Sequence, residues 1–165
     1  MGEIVEKPEQ WIDYTVDKEL GEITRLNIQR FAVSVGDHNP LYFDDQYARA
    51  HGYEGIIAPP NFLTAILGWE AGPREEDLIL DGTPQGDNMV PLLPGASLMG
   101  GGQELELVNP VRPGYIVKVQ KKVADIRERD SKSGKLCFLT TESTYTNQYG
   151  QVLVKLRDTL IAAKW

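Results

Sequence analysis

Two turn signals in the C-terminal half constrain this chain more than any other feature of it. SKSG at 131–134 and NQYG at 147–150 carry the small, glycine-terminated chemistry of hairpin connections. They separate the runs GYIVKVQKKVADIRERD, KLCFLTTESTYT and QVLVKLRDTLIAA, which are rich in β-branched residues and alternate partly between apolar and polar. Runs joined in this way pair antiparallel. A fourth strand-like run, QELELVN, comes before them.

The N-terminal half follows a different period. In TRLNIQRFAVSV (24–35) the apolar residues Leu26, Ile28, Phe31, Ala32 and Val35 recur at helical spacing, with Thr24 as N-cap and Gly36 as stop. DQYARAH predicts a second, short helix, capped by Asp44 and ended by Gly52. PPNFLTAILGWEAG predicts a third that starts near Pro60, where a first helical turn accepts proline, and ends at Gly72-Pro73. Its near-continuous apolarity marks it as buried, with Phe62, Ile66 and Leu67 on one face. Helices followed by long antiparallel strands give an α+β domain in which a sheet wraps the buried helix. The Gly- and Pro-rich stretch from Pro73 to Gly102 reads as a long loop over the ligand or partner face.

At 165 residues the chain is expected to form one domain, 1–165, long enough to bury a core. A net charge of -7 argues against a nucleic-acid partner, which needs a basic face. An anionic ligand would need a local basic cluster, for which Arg112 or Lys121 and Lys122 are candidates. Cys137 is the only cysteine, so neither an intrachain disulfide nor a cysteine-based zinc site is open to the chain, and no metal is expected. No apolar run reaches the roughly 18 residues of a membrane span and no signal pattern opens the sequence, so the cytoplasm is the expected location and no membrane partner is expected.

The specific residues are FAVSVGDHNPLYFDDQYARAHGYEGIIAPPNF, and, further on, LMGGGQELELVNPVRPGY at 98–115. Together, in this order, they resemble the signature of the MaoC-like (R)-specific enoyl-CoA hydratases and dehydratases. The closer resemblance is to the N-terminal domain type shared with fatty-acid-synthase-like dehydratases. It runs from about Thr24 to the C-terminus. It implies a hot-dog fold, a curled antiparallel sheet around a central helix, and pairing of such domains into dimers. It also implies hydration of an enoyl-CoA thioester with no cofactor beyond the CoA of the substrate. In the family motif G-D-x-N-P-L-H, the aspartate and histidine hold or activate the water. A glycine N–H at the start of the central helix stabilises the thioester oxyanion.

Two of those elements differ here. Asp37 and Asn39 match the motif, but the histidine position is Tyr42, a phenol with an ordinary pKa near 10 and a poor base at neutral pH. The family's His-Gly aligns with Pro59-Pro60, and Pro60 has no N–H to donate. The candidate catalytic set is therefore Asp37, Tyr42 and Asn39, with Asn39 setting turn geometry. The candidate substrate contacts are His51, Pro59, Pro60, Asn61, Gly101 and Gly102. Several also have a plainer reading. Asp37 and Asn39 bond within a turn, His51 sits at a helix C-terminus, and the glycines of LMGGGQ suit a bulge as well as a pantetheine channel.

Four functions stay open on these residues. The first is a hydratase subunit with a degenerate site, paired with a homologous chain that keeps the intact dyad; the degenerate half then shapes the pocket for bulky or long acyl groups. The second is a self-sufficient homodimeric hydratase that uses Asp37 with Tyr42 or His51. A hot-dog thioesterase is the third, which the GDHNP run disfavours. The fourth is an acyl-CoA-binding scaffold without turnover.

Overall fold

The computed structural model describes residues 5, 7–65, 74–78, 90, 97–131 and 134–164. Among the described residues five strands form one antiparallel sheet: β1 (Thr15–Glu22), β2 (Ser97–Leu107), β3 (Ile116–Ser131), β4 (Gly134–Thr146) and β5 (Val152–Lys164), in the order β1-β3-β4-β5-β2. The two hairpin signals join β3 to β4 and β4 to β5, with Ser131 opposite Gly134 and Thr146 opposite Val152. This is the curled hot-dog sheet that the sequence predicts.

Along β3 the inward residues follow the strand period of two, and the phase change in that strand has a local cause. Val117, Val119 and Val123 of β3 are buried at odd positions. A bulge between Val123 and Asp125 then moves the buried position to Ile126. The larger core cluster gathers Val117, Val119, Leu153 and Leu156 from the sheet against Ile28, Ala32 and Phe62 from the helices. A second cluster, at the far end of β3 and β4, contains Val123, Ile126, Cys137 and Leu139.

The helical half starts with α1 (Arg25–Ser34). Thr24 Oγ1 accepts from Asn27 N–H at 3.1 Å, and Asn27 Oδ1 accepts from Thr24 N–H at 3.2 Å, a reciprocal cap. A short α2 (Asp45–Ala50) follows, capped by Asp44, whose Oδ1 accepts from Gln46 and Tyr47. Both predicted helices and their caps are where the sequence puts them. Of the third helix the described part is α3 (Phe62–Ala65), with Phe62 and Leu63 buried and Phe62 edge-on to Phe31 at 5.5 Å. Ile66, Leu67, Trp69, Gly72 and Pro73 lie outside the described residues.

Two differences from the sequence reading have physical reasons. The loop assigned to 73–102 gives way to strand at Ser97, so the glycines of LMGGGQ belong to β2. They form a bulge there: Gly100 pairs with Leu160, Gly102 with Thr159, and Gly101 is the extra residue. The sequence reading also assigned nothing to 15–22, which is β1. Only Leu20 of that strand is buried, so TVDKELGE offers almost no apolar alternation to detect.

Candidate functional site

Asp37 is placed by the end of α1. Gly36, at φ 71, takes the left-handed conformation that costs a glycine nothing. Gly36 N–H then donates to Val33 C=O at 3.1 Å and Asp37 N–H to Ala32 C=O at 2.9 Å, the paired closure of a Schellman motif. From there two side-chain turns run in series. Asp37 Oδ1 accepts from Asn39 N–H, and Asn39 Oδ1 accepts from Leu41 N–H, each at 3.1 Å. Pro40 opens a single 3₁₀ turn, Pro40–Tyr42, that carries Tyr42 inward.

Tyr42 is 5% exposed, and its phenol lies beside the Asp37 carboxylate. Burial raises its pKa above 10, and the Asp37 charge and hydrogen bond push it further in the same direction. The side chain at the histidine position is thus held protonated at neutral pH. In that state it has no capacity to take a proton.

The same closure is used a second time. Gly52, at φ 88, ends α2; Gly52 N–H donates to Arg49 C=O and Tyr53 N–H to Ala48 C=O, both at 3.1 Å. This brings Tyr53 and then Ile57 to a cavity of about 370 Å³, inside the usual range for small-molecule sites. Its walls are mostly apolar, with Leu41, Ile57, Phe62, Leu105, Val111 and Val154 among them. The polar groups come from Tyr42, Tyr53, Asn61, Thr64 and Asn109.

Of the predicted site residues, Tyr42, Pro59, Pro60 and Asn61 are brought together in this lining. Asp37 is outside this lining and is tied to Asn39, which holds the turn that leads to Tyr42. Pro60 stands at the mouth of α3 without an N–H, and the next residue, Asn61, is held at φ 64. Among the described residues the Asn61 N–H meets no backbone acceptor.

The other three lie outside the lining. His51 is exposed, its ring stacked on Tyr47 at 4.0 Å with Nδ1 2.8 Å from Tyr47 C=O. Gly101 and Gly102 belong to the β2 bulge: a Cβ on Gly101 would sit 2.9 Å from Thr159 C=O, and Gly102 lies at φ 133. Close backbone approach accounts for the first and the left-handed conformation for the second.

Tyr53, Thr64 and Asn109 escaped the sequence reading. Asn109 had a signal in its Asx-Pro pair; its Nδ2 donates to Val152 C=O at 2.7 Å, tying the cavity wall to β5. Of the candidate cations, Lys122 pairs with Asp13 at 2.6 Å, far along β3 from the cavity lining. Arg112 follows a lining residue and pairs with Glu54. Among the described residues no cluster of His, Cys, Asp and Glu is suited to a metal ion, and no helix is long and apolar enough to cross a membrane.

A UPF0336 protein of Streptomyces avermitilis is 34% identical over 64% of this chain, which spans 63% of that protein's length. A probable enoyl-CoA hydratase alpha subunit of Thermomonospora curvata is 31% identical over 81% of this chain, which spans 43% of it. Among solved structures, the MaoC-like dehydratase of Rhodospirillum rubrum superposes with a TM-score of 0.67 at 22% identity, covering 99% of both chains. The ChsH1–ChsH2 complex of Mycobacterium tuberculosis superposes at 0.69 and 17% identity, over 92% of this chain and 89% of the matched one. Both superpositions show the fold. Residues 10–156 match the family described as the FAS1-like dehydratase domain region, and the chain belongs to that family.

Proposed function

We propose that this chain is the non-catalytic subunit of a MaoC-like enoyl-CoA hydratase, paired with a homologous chain that carries the intact Asp/His dyad and the glycine donor. The observation that carries this reading is the Tyr42 phenol at the histidine position, buried and held protonated beside the Asp37 charge. A base is needed to deliver water to the double bond, and neither Asn39 nor Tyr42, the partners of Asp37 in its turn, is one. Pro60 removes the oxyanion donor independently, a loss that typically costs about a hundredfold or more in rate.

The naming of a relative as an alpha subunit supports the division of labour, as does the fold likeness to a chain of a two-protein complex. In this reading the apolar cavity shapes the acyl site and bulky or long acyl groups are its ligands. The reaction consumes only water and thioester, so no cofactor is required. The test is co-expression with the adjacent reading frame, followed by a hydration assay of the pair and of each chain. Activity appears in the pair and is absent from this chain alone. Ordinary hydratase rates from the isolated chain would overturn the proposal.

One observation favours a self-sufficient enzyme as the second reading: the Asn61 N–H, one residue beyond Pro60, meets no backbone acceptor among the described residues. That reading requires Asp37→Asn to abolish activity of the isolated protein.

A further inference from the structure

The ion pair between Arg112 and Glu54 has no part in the reading above. The residue before each partner, Val111 and Tyr53, lines the cavity, so the pair lies along its edge. Ala58 N–H donates to Val111 C=O at 2.8 Å, which fixes the two segments against each other.

The partners are held unequally. The Arg112 side chain is 25% exposed, and Nε and Nη2 both donate to the Tyr115 phenol oxygen, at 3.0 and 2.6 Å. The Pro113-Gly114 turn, with Gly114 at φ 83, folds the guanidinium back onto that phenol. Glu54 is 83% exposed, and among the described residues its carboxylate meets only Arg112 Nη1. A neutral phenol thus orients the guanidinium without neutralising it. Its charge is balanced by a side chain in water, the kind of pair that contributes least and exchanges most readily. In a protein of net charge -7, an oriented cation beside an apolar cavity is a rare place for an anion to find a partner.

We infer that Arg112 is an exchangeable anion site at the cavity edge, filled by Glu54 in the free chain and by a phosphate of the ligand when the cavity is occupied. Tyr115 holds the guanidinium in both states. The inference rests on the reading that the cavity takes a CoA thioester, and it names the group that anchors the phosphorylated end.

The test uses calorimetry on the assembled protein with three probes: an acyl-CoA, the same acyl group on phosphate-free N-acetylcysteamine, and inorganic pyrophosphate. Glu54→Gln removes the competing carboxylate and tightens acyl-CoA and pyrophosphate about threefold or more. Arg112→Gln weakens both about tenfold, the scale of one charge-assisted hydrogen bond. The phosphate-free thioester shifts by less than about twofold in either variant, since it has no charge to place there. If both thioesters shift together, or Glu54→Gln leaves acyl-CoA unchanged, the pair is only a structural strap and the inference fails. If neither thioester binds, the acyl-CoA reading fails by itself. Pyrophosphate binding that Arg112→Gln abolishes would then still uphold the anion site, and pyrophosphate indifferent to both variants would overturn it.

Discussion

Gly36 decides where Asp37 points, because the backbone at φ 71 turns the chain back under α1 in one residue. A Cβ there would meet nothing within 4 Å, so Gly36→Ala tests backbone strain alone. An L-residue in that conformation costs about 1–2 kcal/mol, and urea unfolding of Gly36→Ala is expected to show a loss of that size with an unchanged slope. Tyr42→Phe addresses the neighbouring contact. It removes a buried hydroxyl beside a half-buried carboxylate, and urea unfolding is expected to show a loss of about 1 kcal/mol. In a degenerate subunit the same variant leaves the rate of the assembled pair within about twofold, since the phenol moves no proton. A hundredfold loss in kcat with retained assembly would mean that Tyr42 touches the reacting water after all.

At the scale of elements, β2 depends on its bulge. Gly101 packs its bare Cα against β5, where an added Cβ would stand within 3.1 Å of Thr159 C=O and of the Thr159 and Ile161 side chains. Gly100 beside it has open space. Gly101→Ala is therefore expected to lower stability by about 1–3 kcal/mol, and Gly100→Ala to cost well under about 1 kcal/mol. Thermal melts of the two variants side by side check the contrast, and equal effects would mean that the bulge relaxes freely. The bulge also explains what was and was not readable. Turn chemistry at 131–134 and 147–150 announced three strands correctly, because glycine and polar residues at a hairpin act locally. Three successive glycines in β2 carry no strand propensity, and their strand state comes from pairing with β5, far along the chain. The site divides in the same way. Asp37, Asn39 and Tyr42 lie within one local turn and were legible from the motif. Tyr53, Asn109 and the pairing of Arg112 with Glu54 are brought to the cavity by segments distant in sequence, and only Arg112 was flagged, by its charge.

For the molecule as a whole, pH and assembly are the two tests. Burial pushes the Cys137 thiol up from 9.0 to about 11, with the Glu128 charge adding to it, and burial likewise raises Tyr42 and Tyr145 above 10. Raised folded-state values mean that the stabilisation is fully present below the unfolded values and is lost as pH climbs through the folded ones. Melting temperature is expected to hold up to about pH 8 and to fall from about pH 9 upward. Cys137→Ala begins lower because it leaves a cavity, but falls less steeply between about pH 9 and 10, where the thiol dominates. Identical slopes would assign the decline to the tyrosines.

Assembly is argued from the sheet edge. Among the described residues β2 pairs only with β5, and residues Ser97 to Glu104 are exposed on both faces. Leu98 and Met99 are each more than 40% exposed within that stretch, and Leu107 is more exposed still. An edge strand that offers free backbone groups together with apolar side chains is the surface most in need of a second chain. The other edge, β1, presents Asp17, Lys18, Glu19 and Glu22, charges that discourage pairing. A homologous partner is therefore expected to cover β2. Leu98→Lys combined with Met99→Lys keeps the far-ultraviolet spectrum, because neither side chain is in the core, and loses co-purification with the partner chain. Tyr149→Lys, which alters an exposed side chain on the β4–β5 turn, leaves co-purification intact. Retention of the partner by the double lysine variant would move the interface away from β2. Loss of the partner together with retained acyl-CoA binding would separate the role of this chain in holding the ligand from its role in completing the enzyme.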